Sequence, residues 1–555
     1  VMDMAHIDIS AADYHRRTKH QLQRFAAGPD TLDWDAQPQP FRTWAGAPTI
    51  PLPLVADELK TTWGQMQAQR DVALHALSLR TVACLLELSF ALTAWKQFGP
   101  DRWALRANPS SGNLHPTEVY VLARGVEGLP DGLYHYEPLE HALACRAHYA
   151  PVTEGGRPSP GLWIGLSAIQ WREAWKYGER AFRYCQLDAG HALGALRYAA
   201  ALLGWQALRV PALSHAALAA SMGLDREADF GRAEREEPDM LMAVGDVVDA
   251  SWAADSLKPL AWFGQASRLD PRPMYAWPVI DEVSRTTRPQ PPADGMEPAT
   301  HGMARQAEVG TSQAAPRAEE PAVSIIRGRR SAQHFDRHAQ MNRRSFEGLV
   351  QSLVPVNQVP WDAWPHVPRV HAIFYVHRVE GVAPGVYVLP RSAAGEALLR
   401  QEIIATTDWD QAWTVLTDEQ GVRWPLWRVA EHPNLAGVLR QLSCHQAIAS
   451  DACWAMSLVA EFEAPLAAQA DAYRQLLQEA GLMGQALYLN AEAHGYRGTG
   501  IGCYFDDAVH HLLSLDSERL QVLYHFTVGV PMADSRITTE PPYAHLTSSR
   551  QEDAA

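Results

Sequence analysis

The stretch Arg106-Ala107-Asn108-Pro109-Ser110-Ser111-Gly112-Asn113-Leu114-His115-Pro116 runs directly into Thr117-Glu118-Val119-Tyr120-Val121-Leu122. Two prolines bound a loop that carries two hydroxyls, a glycine and a carboxamide, and an apolar strand follows it. The loop offers side-chain and backbone hydrogen bonds, its glycine lets the main chain approach a flat ligand, and Arg106 adds a positive charge. Because these residue types are also typical of ordinary turns, the loop by itself leaves both interpretations open.

Length, composition and charge limit the class of protein. The chain has 555 residues, which predicts roughly two to four domains. A hydrophobic content of 47% and a charged content of 20% are typical of a globular protein that forms a core. The formal net charge of -15 argues against a nucleic-acid partner, because domains that bind nucleic acid usually carry a basic face.

The cysteines are scattered and form no CxxC pair, which predicts a reducing compartment and neither a disulfide framework nor a zinc site. They are Cys84, Cys145, Cys185, Cys444, Cys453 and Cys503. No stretch has the layout of a signal peptide, and none approaches the ~18 consecutive apolar residues of a membrane helix. We therefore expect a soluble, cytoplasmic protein that has no metal site and no membrane partner.

Apolar spacing predicts the main elements of the first half. These are a helix at about 10–26, a helical region over 66–98, a strand over Val119–Ala123, a turn and strand at Gly132-Leu133-Tyr134-His135-Tyr136, a helix from Arg183 to Trp205 and a buried strand over Met240–Gly245.

Landmarks of the first half return in the second half in the same order. Gly385-Val386-Tyr387 corresponds to Gly132-Leu133-Tyr134, and the helix from Gly481 to Gly495 shares the glycine-bounded spacing of Gly190 to Gly204. Phe526-Thr527-Val528-Gly529 then corresponds to Met242-Ala243-Val244-Gly245. Three matches in register predict a duplicated domain, with extra residues at about 395–440 of the second copy.

A change of composition separates the two copies. Residues 283–321 are rich in Pro, Ala, Gln, Arg and Glu and poor in large apolar side chains, so they cannot bury enough surface to offset the entropy of ordering. The predicted organisation is an N-terminal arm at 1–60, a first domain at 61–282, a mobile linker at 283–321, a second domain at 322–540 and a disordered tail at 541–555.

Two segments of the second half carry candidate binding residues. Arg329 and Ser331 lie two residues apart, and a guanidinium with a nearby hydroxyl suits a phosphate, although a basic patch before a helix would look the same. Gly500-Ile501-Gly502 follows a predicted helix, so it is a poor dinucleotide fingerprint, but glycines allow backbone amides to reach a flat ring. A plain turn after a helix is the alternative for this segment.

Together with the loop at 109–113, these segments resemble the FMN-dependent nitroreductase superfamily, in the tandem-domain version found in dehydrogenases of the SagB/ThcOx type. The resemblance implies an α+β fold: two fused nitroreductase-like domains, each a mixed, largely antiparallel sheet wrapped by helices, that form an internal pseudo-dimer. It also implies FMN as the cofactor. Gln333 departs from the family pattern, because another basic residue is usual there.

The resemblance assigns roles to individual residues. By the resemblance, Arg536 is a further phosphate contact. If FMN is bound, its reduction places negative charge on the N1–C2=O edge, so Arg106 is the candidate for stabilising that edge, with a phosphate or structural contact as the alternative. Tyr134, His135 and Tyr136 are candidates for moving a proton to or from the substrate, with packing as the alternative. The implied cofactor-binding set is Arg106, Pro109, Ser110, Ser111, Asn113, Arg329, Arg330, Ser331, Gly500, Ile501, Gly502 and Arg536.

Each half lacks the motif that the other half has. The position in the second half that corresponds to Pro109 falls near Asp362, in a segment without Ser, Gly or Asn, and the first half has only Ser78-Leu79-Arg80 where Arg-x-Ser is expected. Family members bind FMN across a dimer interface, with the ring loop from one subunit and the phosphate contacts from the other. We therefore expect one FMN per chain.

Three functions remain open on the sequence. The first is a SagB-type dehydrogenase that transfers hydride from a peptide-derived or small organic substrate to FMN, with oxygen as the final acceptor. The second is an NAD(P)H-dependent reductase of nitro or quinone compounds. The third is a degenerate paralogue without flavin that acts as a binding or assembly subunit.

Overall fold

The structure is a computed structural model that describes residues 7–151, 160–211, 213–248, 257–290, 315–403, 414–417 and 423–546. Within these residues, antiparallel sheets are surrounded by helices, so the predicted α+β class is confirmed. No helix of the described residues is long and apolar enough to cross a membrane.

The first half contains these helices and strands. The helices are α1 (Ala11–Arg17), α2 (Trp63–Ala68), α3 (Leu79–Ser89), α4 (Gln170–Tyr177), α5 (Ala181–Leu202), α6 (His215–Ser221), α7 (Glu227–Phe230) and α8 (Pro278–Thr286). The strands are β1 (Trp44–Ala45), β2 (Thr49–Pro51), β3 (Leu92–Phe98), β4 (Asp101–Arg106), β5 (Thr117–Arg124), β6 (Gly132–Glu137), β7 (Ala142–Tyr149), β8 (Gly161–Ala168), β9 (Gln206–Arg209), β10 (Glu237–Gly245), β11 (Pro259–Trp262) and β12 (Gln265–Ala266).

The second half contains a similar succession. Its helices are α9 (Ala322–Gly328), α10 (Arg343–Ser352), α11 (Ala393–Glu402), α12 (Leu435–Leu442), α13 (Ile448–Asp451), α14 (Glu463–Ala468), α15 (Ala472–Ala493) and α16 (Asp506–Leu512). Its strands are β13 (Val370–Val376), β14 (Gly385–Leu389), β15 (Thr414–Thr417), β16 (Arg423–Ala430), β17 (Trp454–Glu461), β18 (Arg497–Ile501), β19 (Leu520–Gly529) and β20 (Thr538–Glu540).

The two main sheets have equivalent topologies. The first has the strand order β11-β7-β6-β5-β8-β10-β9, and the second has the order β15-β16-β14-β13-β17-β19-β18. When β5 is aligned with β13 and β10 with β19, the other strands occupy equivalent positions in the two sheets. The edge strands β9 and β18 are equivalent in the same way, since β9 pairs with β10 and β18 pairs with β19. The repeated sequence landmarks predict a duplicated domain, and the equivalent strand orders of the two sheets agree with that prediction.

The two long helices α5 and α15 pack against each other between the sheets and are buried along nearly their whole length. A Cβ atom on Gly190 would lie 2.0 Å from the carbonyl oxygen of Gln478, and one on Gly481 would lie 2.1 Å from that of Leu187. Only glycine therefore permits this close crossing. The glycines that mark the repeat in the sequence are the residues that join the two halves.

Both ends of the described chain cross from one half to the other. In α1, the Tyr14 hydroxyl donates to the carbonyl oxygen of Glu179 (2.5 Å), and the ring Nδ1 of His15 lies 3.1 Å from the Tyr473 hydroxyl of the second half. At the other end, β20 pairs with β3, so the second half adds a strand to a hairpin of the first.

The predicted helical region at 66–98 is wrong in part. A capping box between Ser78 and Thr81 begins α3, which ends at Ser89, and residues 92–98 form β3. The apolar residues Leu92 and Ala94 continue the hydrophobic pattern, but they alternate with less buried residues as in a strand. The helix expected at about 10–26 is also shorter, because α1 ends at Arg17.

The ends of the expected linker and tail are ordered. Val283 and Thr287 are fully buried at the end of α8, and the carbonyl oxygen of Ala318 accepts a hydrogen bond from Gly64 N (2.8 Å). The Tyr543 hydroxyl donates to the Pro138 carbonyl oxygen (2.6 Å), so the beginning of the expected tail packs on the first half. Residues 291–314 and 547–555 lie outside the described residues.

Candidate functional site

A cavity of about 670 Å³ lies where the two halves meet. Its wall combines the loop after β4, the faces of α5 and α15, the segment after α9, the strand β18 with the residues after it, and the segment before β20. The lining residues used below are Lys96, Arg106, Asn108, Pro109, Ser110, Ser111, Asn113, His115, Tyr177, Tyr184, Asp188, His191, Arg329, Arg330, Ser331, Gln446, Tyr488, Arg497, Gly500, Ile501, Gly502, Cys503 and Tyr524.

The conformation of the loop after β4 is fixed by hydrogen bonds that its own side chains make. Gly112, Asn113 and His115 all have left-handed backbones, with φ of 62°, 58° and 52°. The Asn113 Nδ2 donates to the Ala104 carbonyl oxygen (2.9 Å), and the Asn113 Oδ1 lies 2.8 Å from the His115 Nε2. These bonds fix the loop as a polar edge of the cavity.

Asp188 of α5 anchors the two loop hydroxyls. Its Oδ2 accepts from the Ser110 hydroxyl (2.6 Å), and its Oδ1 accepts from the Ser111 backbone N (3.1 Å) and hydroxyl (3.0 Å). The Ser110 hydroxyl also lies 3.3 Å from Glu173 Oε1 of α4, whose second oxygen has no partner within the described chain. Two buried carboxyl groups therefore share one serine beside the cavity.

Burial sets the protonation of this carboxyl pair. Loss of water raises the pKa of Asp188 to about 7 and, together with the charge of Asp188, raises the pKa of Glu173 well above its ordinary value. At neutral pH the proton therefore stays on Glu173, and Asp188 is the group that titrates.

Asp188→Asn is expected to flatten the pH dependence of stability. Because the folded chain binds the Asp188 proton more tightly than the unfolded chain does, stability falls as pH rises between about 4 and about 7. The full effect is on the order of 4 kcal/mol at about 1.4 kcal/mol per pKa unit. Denaturant unfolding at pH 5 and pH 8 should show about 3 kcal/mol of this effect, because part of the loss already occurs between about pH 4 and pH 5.

Glu173 also binds its proton more tightly in the folded chain than in the unfolded one, so Glu173→Gln removes a second contribution of the same sign and should flatten the pH dependence as well. A pH slope that neither variant changed would show that the folded chain does not bind the protons of this carboxyl pair more tightly than the unfolded chain does.

The segment after α9 brings cations to the cavity. The Arg329 guanidinium is buried and donates from Nε and Nη2 to the carbonyl oxygens of Ala107 (3.2 Å) and Arg106 (2.9 Å). The Ser331 hydroxyl lies 2.8 Å from the Tyr488 hydroxyl. Burial lowers the pKa of Arg330 to about 10, and at neutral pH it is charged. The second half thus contacts the loop of the first half directly.

Gly500, Ile501 and Gly502 line another side of the cavity. A Cβ on Gly500 would lie 1.9 Å from the Tyr524 hydroxyl, and one on Gly502 would lie 2.4 Å from the Tyr184 ring. The Gly500 backbone N donates to the Tyr488 hydroxyl (3.0 Å). Gly500 and Ile501 end strand β18 and Gly502 follows it, so the segment is not a simple turn after a helix.

Arg106 lines the cavity from the end of β4. Its Nη2 donates to the Pro40 carbonyl oxygen (2.7 Å), its guanidinium stacks 4.9 Å from the centre of the Phe41 ring, and its Nε has no partner within the described residues. Burial lowers its pKa to about 10, so it keeps its positive charge at neutral pH.

The structure brings together nearly all of the predicted site residues. Arg536 is the exception: its side chain is 71% exposed and pairs with Asp534 at 2.8 Å, and it does not line the cavity. The cations Lys96 and Arg497 line it instead.

The candidate proton donors from the Gly-Leu-Tyr segment also lie elsewhere. The Tyr134 hydroxyl donates to Pro130, His135 contacts Glu118 at 2.6 Å, and Tyr136 lies 2.8 Å from His141. They belong to the core of the first sheet.

Sequence reasoning missed the residues that α5 contributes. Tyr184, Asp188 and His191 are spaced i, i+4 and i+7, so they lie on one face of a helix that is otherwise rich in Ala and Leu. Polar residues at that spacing in an apolar helix are the signal that could have found them. Tyr488 and Tyr524 complete this side from the second half, with the His191 Nε2 3.0 Å from the Tyr524 hydroxyl.

A buried charge cluster supports the wall at Gly502. Asp506 is fully buried and accepts from the guanidinium groups of Arg180 (2.9 Å) and Arg183 (2.8 Å) and from His20 N (3.0 Å). Burial opposes ionisation, but the two guanidiniums outweigh it and hold the pKa of Asp506 far below its ordinary value. Arg180 Nη2 also lies 3.2 Å from the Gly502 carbonyl oxygen.

A smaller cavity, of about 180 Å³, occupies the position related by the duplication. Glu479 lines it and corresponds to Asp188, since each lies two residues before its repeat glycine. The Nη1 of Arg391 lies 2.5 Å from the Oε1 of Glu479. Trp364 lines this cavity from the segment that is equivalent to the polar loop. The nearby Asp362 pairs with Arg197 (2.8 Å), while Ser78 caps α3.

The expectation of no disulfide is wrong for one pair. Cys444 and Cys503 form a disulfide with a Cα–Cα distance of 5.9 Å, whereas Cys84, Cys145, Cys185 and Cys453 are free and buried. The partners are 59 residues apart, so their spacing gave no signal. No cluster of potential metal ligands occurs in the described residues.

Comparisons with known proteins agree with this architecture. The Nitroreductase family model matches residues 400–530, in the second half. A protein of Methanocaldococcus jannaschii with the provisional name nitroreductase is 25% identical over 130 residues, which are 22% of this chain and 62% of that protein. The chain thus spans about three fifths of the length of this curated relative.

Among solved structures, a protein of Anabaena variabilis provisionally named a nitroreductase has a TM-score of 0.65 and 22% identity, and the match covers 95% of this chain and 100% of that one. This match shows the fold over nearly the whole chain. The microcin synthetase complex of E. coli, solved with a truncated pro-peptide, gives a TM-score of 0.25 at 24% identity, over 32% of this chain and 66% of its own. The second likeness is too partial to bear on function.

Proposed function

We propose that the chain is an FMN-dependent oxidoreductase that holds one FMN in the cavity between its halves. The observation that carries the proposal is that one cavity is lined by Ser110, Ser111 and Asn113 of the first half and by Arg329 and Ser331 of the second. A flat heterocycle with a phosphate at its far end needs this combination of polar loop and cation.

The residues present fit such a ligand. The volume of about 670 Å³ is within the ~300–1,000 Å³ that small-molecule sites usually have. Arg106 Nε, Asn108 Oδ1 and His115 Nδ1 are buried without partners among the described residues, and all three residues line the cavity. A ligand that carries donors and acceptors along its edge would satisfy them.

The duplicated position supports one cofactor per chain. The cavity there, at about 180 Å³, is smaller than the ~300 Å³ lower limit of ordinary ligand sites. Its carboxylate, Glu479, is already neutralised by Arg391. The residues that would hold the ring and the phosphate are both missing from it.

FMN, when bound, supplies the hydride chemistry. Arg329, Arg330 and Ser331 would hold its phosphate, and the loop at 109–113 would orient its ring. Arg106 places a positive charge beside the cavity that favours an electron-rich ring edge. Asp188 holds or releases a proton at its carboxylate oxygens near neutral pH, which suits a reaction that moves a proton together with a hydride.

We further propose a dehydrogenase of the SagB type, acting on a peptide-derived or small organic substrate. Oxidation of such a substrate releases a proton as well as a hydride, and ionised Asp188 is a base beside the cavity that can accept it. The polar lining on several sides suits a substrate with amide groups.

Reconstitution with FMN tests the proposal. The purified chain, dialysed against FMN and freed of excess, is expected to show a flavin absorbance spectrum and a ratio near one FMN per polypeptide. A ratio near two would contradict the single site, and a chain that binds no FMN would favour the flavin-free binding subunit. Rapid bleaching of the bound flavin by NADPH would favour the nitro or quinone reductase over the dehydrogenase.

A further inference from the structure

One partner of the Cys444–Cys503 disulfide, Cys503, lines the cavity. Cys444 follows α12 and Cys503 follows β18, and Cys503 lines the cavity beside Gly500 and Gly502. Gln446, two residues after Cys444, lines it as well. Both cysteines are partly exposed, whereas the four free cysteines are buried. The disulfide therefore lies beside the cavity and is less buried than the free cysteines.

The two loops are held together without the sulfur–sulfur bond. Phe505 N donates to the Leu442 carbonyl oxygen (2.8 Å), and Gln446 Nε2 donates to the carbonyl oxygens of Ser443 (2.9 Å) and Cys503 (3.3 Å). Opening the disulfide would leave these hydrogen bonds in place. The loops therefore have contacts that do not depend on the covalent bond.

The backbone around Cys444 is strained. Cys444 and His445 are successive non-glycine residues with left-handed φ of 55° and 60°. A left-handed backbone is unfavourable for residues with a side chain, and strain of this kind clusters at functional sites. The loop thus maintains an unfavourable conformation that places Cys444 against Cys503.

A positive charge lies next to Cys503. Arg180 Nη2 contacts the carbonyl oxygen of Gly502, the preceding residue, at 3.2 Å, and its charge is partly balanced by Asp506. Positive charge near a cysteine favours its thiolate, the form in which a cysteine exchanges electrons, and here that charge contacts the backbone of the residue before Cys503.

We propose that Cys444 and Cys503 are a redox-active pair that exchanges two electrons with the FMN of the same cavity; this inference rests on the proposed function. The disulfide accepts two electrons from reduced FMN and two protons, the sulfur–sulfur bond breaks, both sulfurs become thiols, and FMN returns to its oxidised form. The reverse reaction forms the disulfide and reduces FMN. One chain then stores four electrons, two on FMN and two on the cysteines.

Cysteine labelling tests the exchange directly. The FMN-loaded full-length chain is freed of excess FMN and reduced without oxygen by light and EDTA. It is then denatured in the presence of N-ethylmaleimide, which labels thiols, and the labelled cysteines are located by mass spectrometry. Before reduction we expect labels on the four free cysteines alone, and after reduction also on Cys444 and Cys503. If air is readmitted before the denaturation step, the disulfide should form again and only the four free cysteines should be labelled.

Two controls separate this exchange from other reactions. The apoprotein treated with light and EDTA should keep its disulfide, because no flavin is present to transfer electrons. In an anaerobic dithionite titration the holoprotein should take up four electrons, and the Cys444→Ser/Cys503→Ser double variant should take up two.

Three results would overturn the inference. In the first, FMN becomes fully reduced while Cys444 and Cys503 remain unlabelled. In the second, both cysteines are labelled in the oxidised holoprotein, which would show that oxidised FMN does not take their electrons. In the third, the apoprotein loses its disulfide as readily as the holoprotein. A chain without any flavin spectrum is a separate outcome, because it refutes the proposed function before labelling begins.

Discussion

Replacing Arg329 with alanine is expected to lower the affinity of the chain for FMN by about 100-fold or more. Arg329 is buried and lines the cavity, and its Nε and Nη2 donate to loop carbonyl oxygens. Removing a buried charged partner of an anion typically costs about 3 kcal/mol, and each 1.4 kcal/mol is tenfold in affinity. Equilibrium dialysis against FMN measures the effect.

The chain provides a matched control in Arg536. The family resemblance assigns both arginines to the phosphate, but Arg536 is exposed, pairs with Asp534 and lies outside the cavity lining. Arg536→Ala should therefore bind FMN as the unmodified chain does. Arg329→Lys should recover part of the affinity, since it restores the charge without the planar fork. Equal losses in the two alanine variants would show that the phosphate does not lie at Arg329.

Much of the fold could be predicted because the same sequence landmarks occur in both copies of the duplicated domain. Gly190 and Gly481 are recognisable in the sequence, and the structure shows why they are needed, since a side chain on either would meet the backbone of the opposite helix. The loop at 109–113 and the Arg329–Ser331 pair are local motifs, and local motifs are visible without a structure. Their convergence on one cavity follows from the pseudo-dimer.

The residues that could not be predicted depend on contacts between distant parts of the chain. The position of Arg536 is decided by its local pairing with Asp534, and nothing in its motif shows that pairing. Cys444 and Cys503 meet because two loops of one domain converge. Asp188 has a local signal in its helical spacing, but its raised pKa comes from burial beneath a loop that precedes it by many residues.

The strand β3 illustrates a different limit. Its apolar residues follow α3 so closely that the helical pattern extends through them, and the end of the helix is set by packing. β3 is stabilised as a strand because it pairs with β4 on one side and with β20, from the far end of the chain, on the other. Tertiary pairing of this kind outweighs local propensity.

Asp506→Asn is expected to destabilise the folded chain by about 3–5 kcal/mol, because it leaves the buried guanidiniums of Arg180 and Arg183 without a counter-charge. The pKa of Asp506 is held far below its ordinary value, so its contribution is fully present above pH ~4 and is lost only as pH falls through the lowered pKa. The penalty should therefore be the same at pH 6 and pH 8. Denaturant unfolding of the apoprotein at both pH values measures it.

The matched control for Asp506→Asn is the same substitution at the neighbouring Asp507. It pairs with Lys19 at 2.8 Å, but its own side chain is 49% exposed, so water screens the pair and Asp507→Asn should cost about 1 kcal/mol or less. Because Arg180 also contacts the Gly502 carbonyl oxygen, Asp506→Asn should weaken FMN binding as well, and Asp507→Asn should not. If the two variants were equally stable, the charge cluster at Asp506 would not be the interaction that joins the N-terminal arm to the cavity wall.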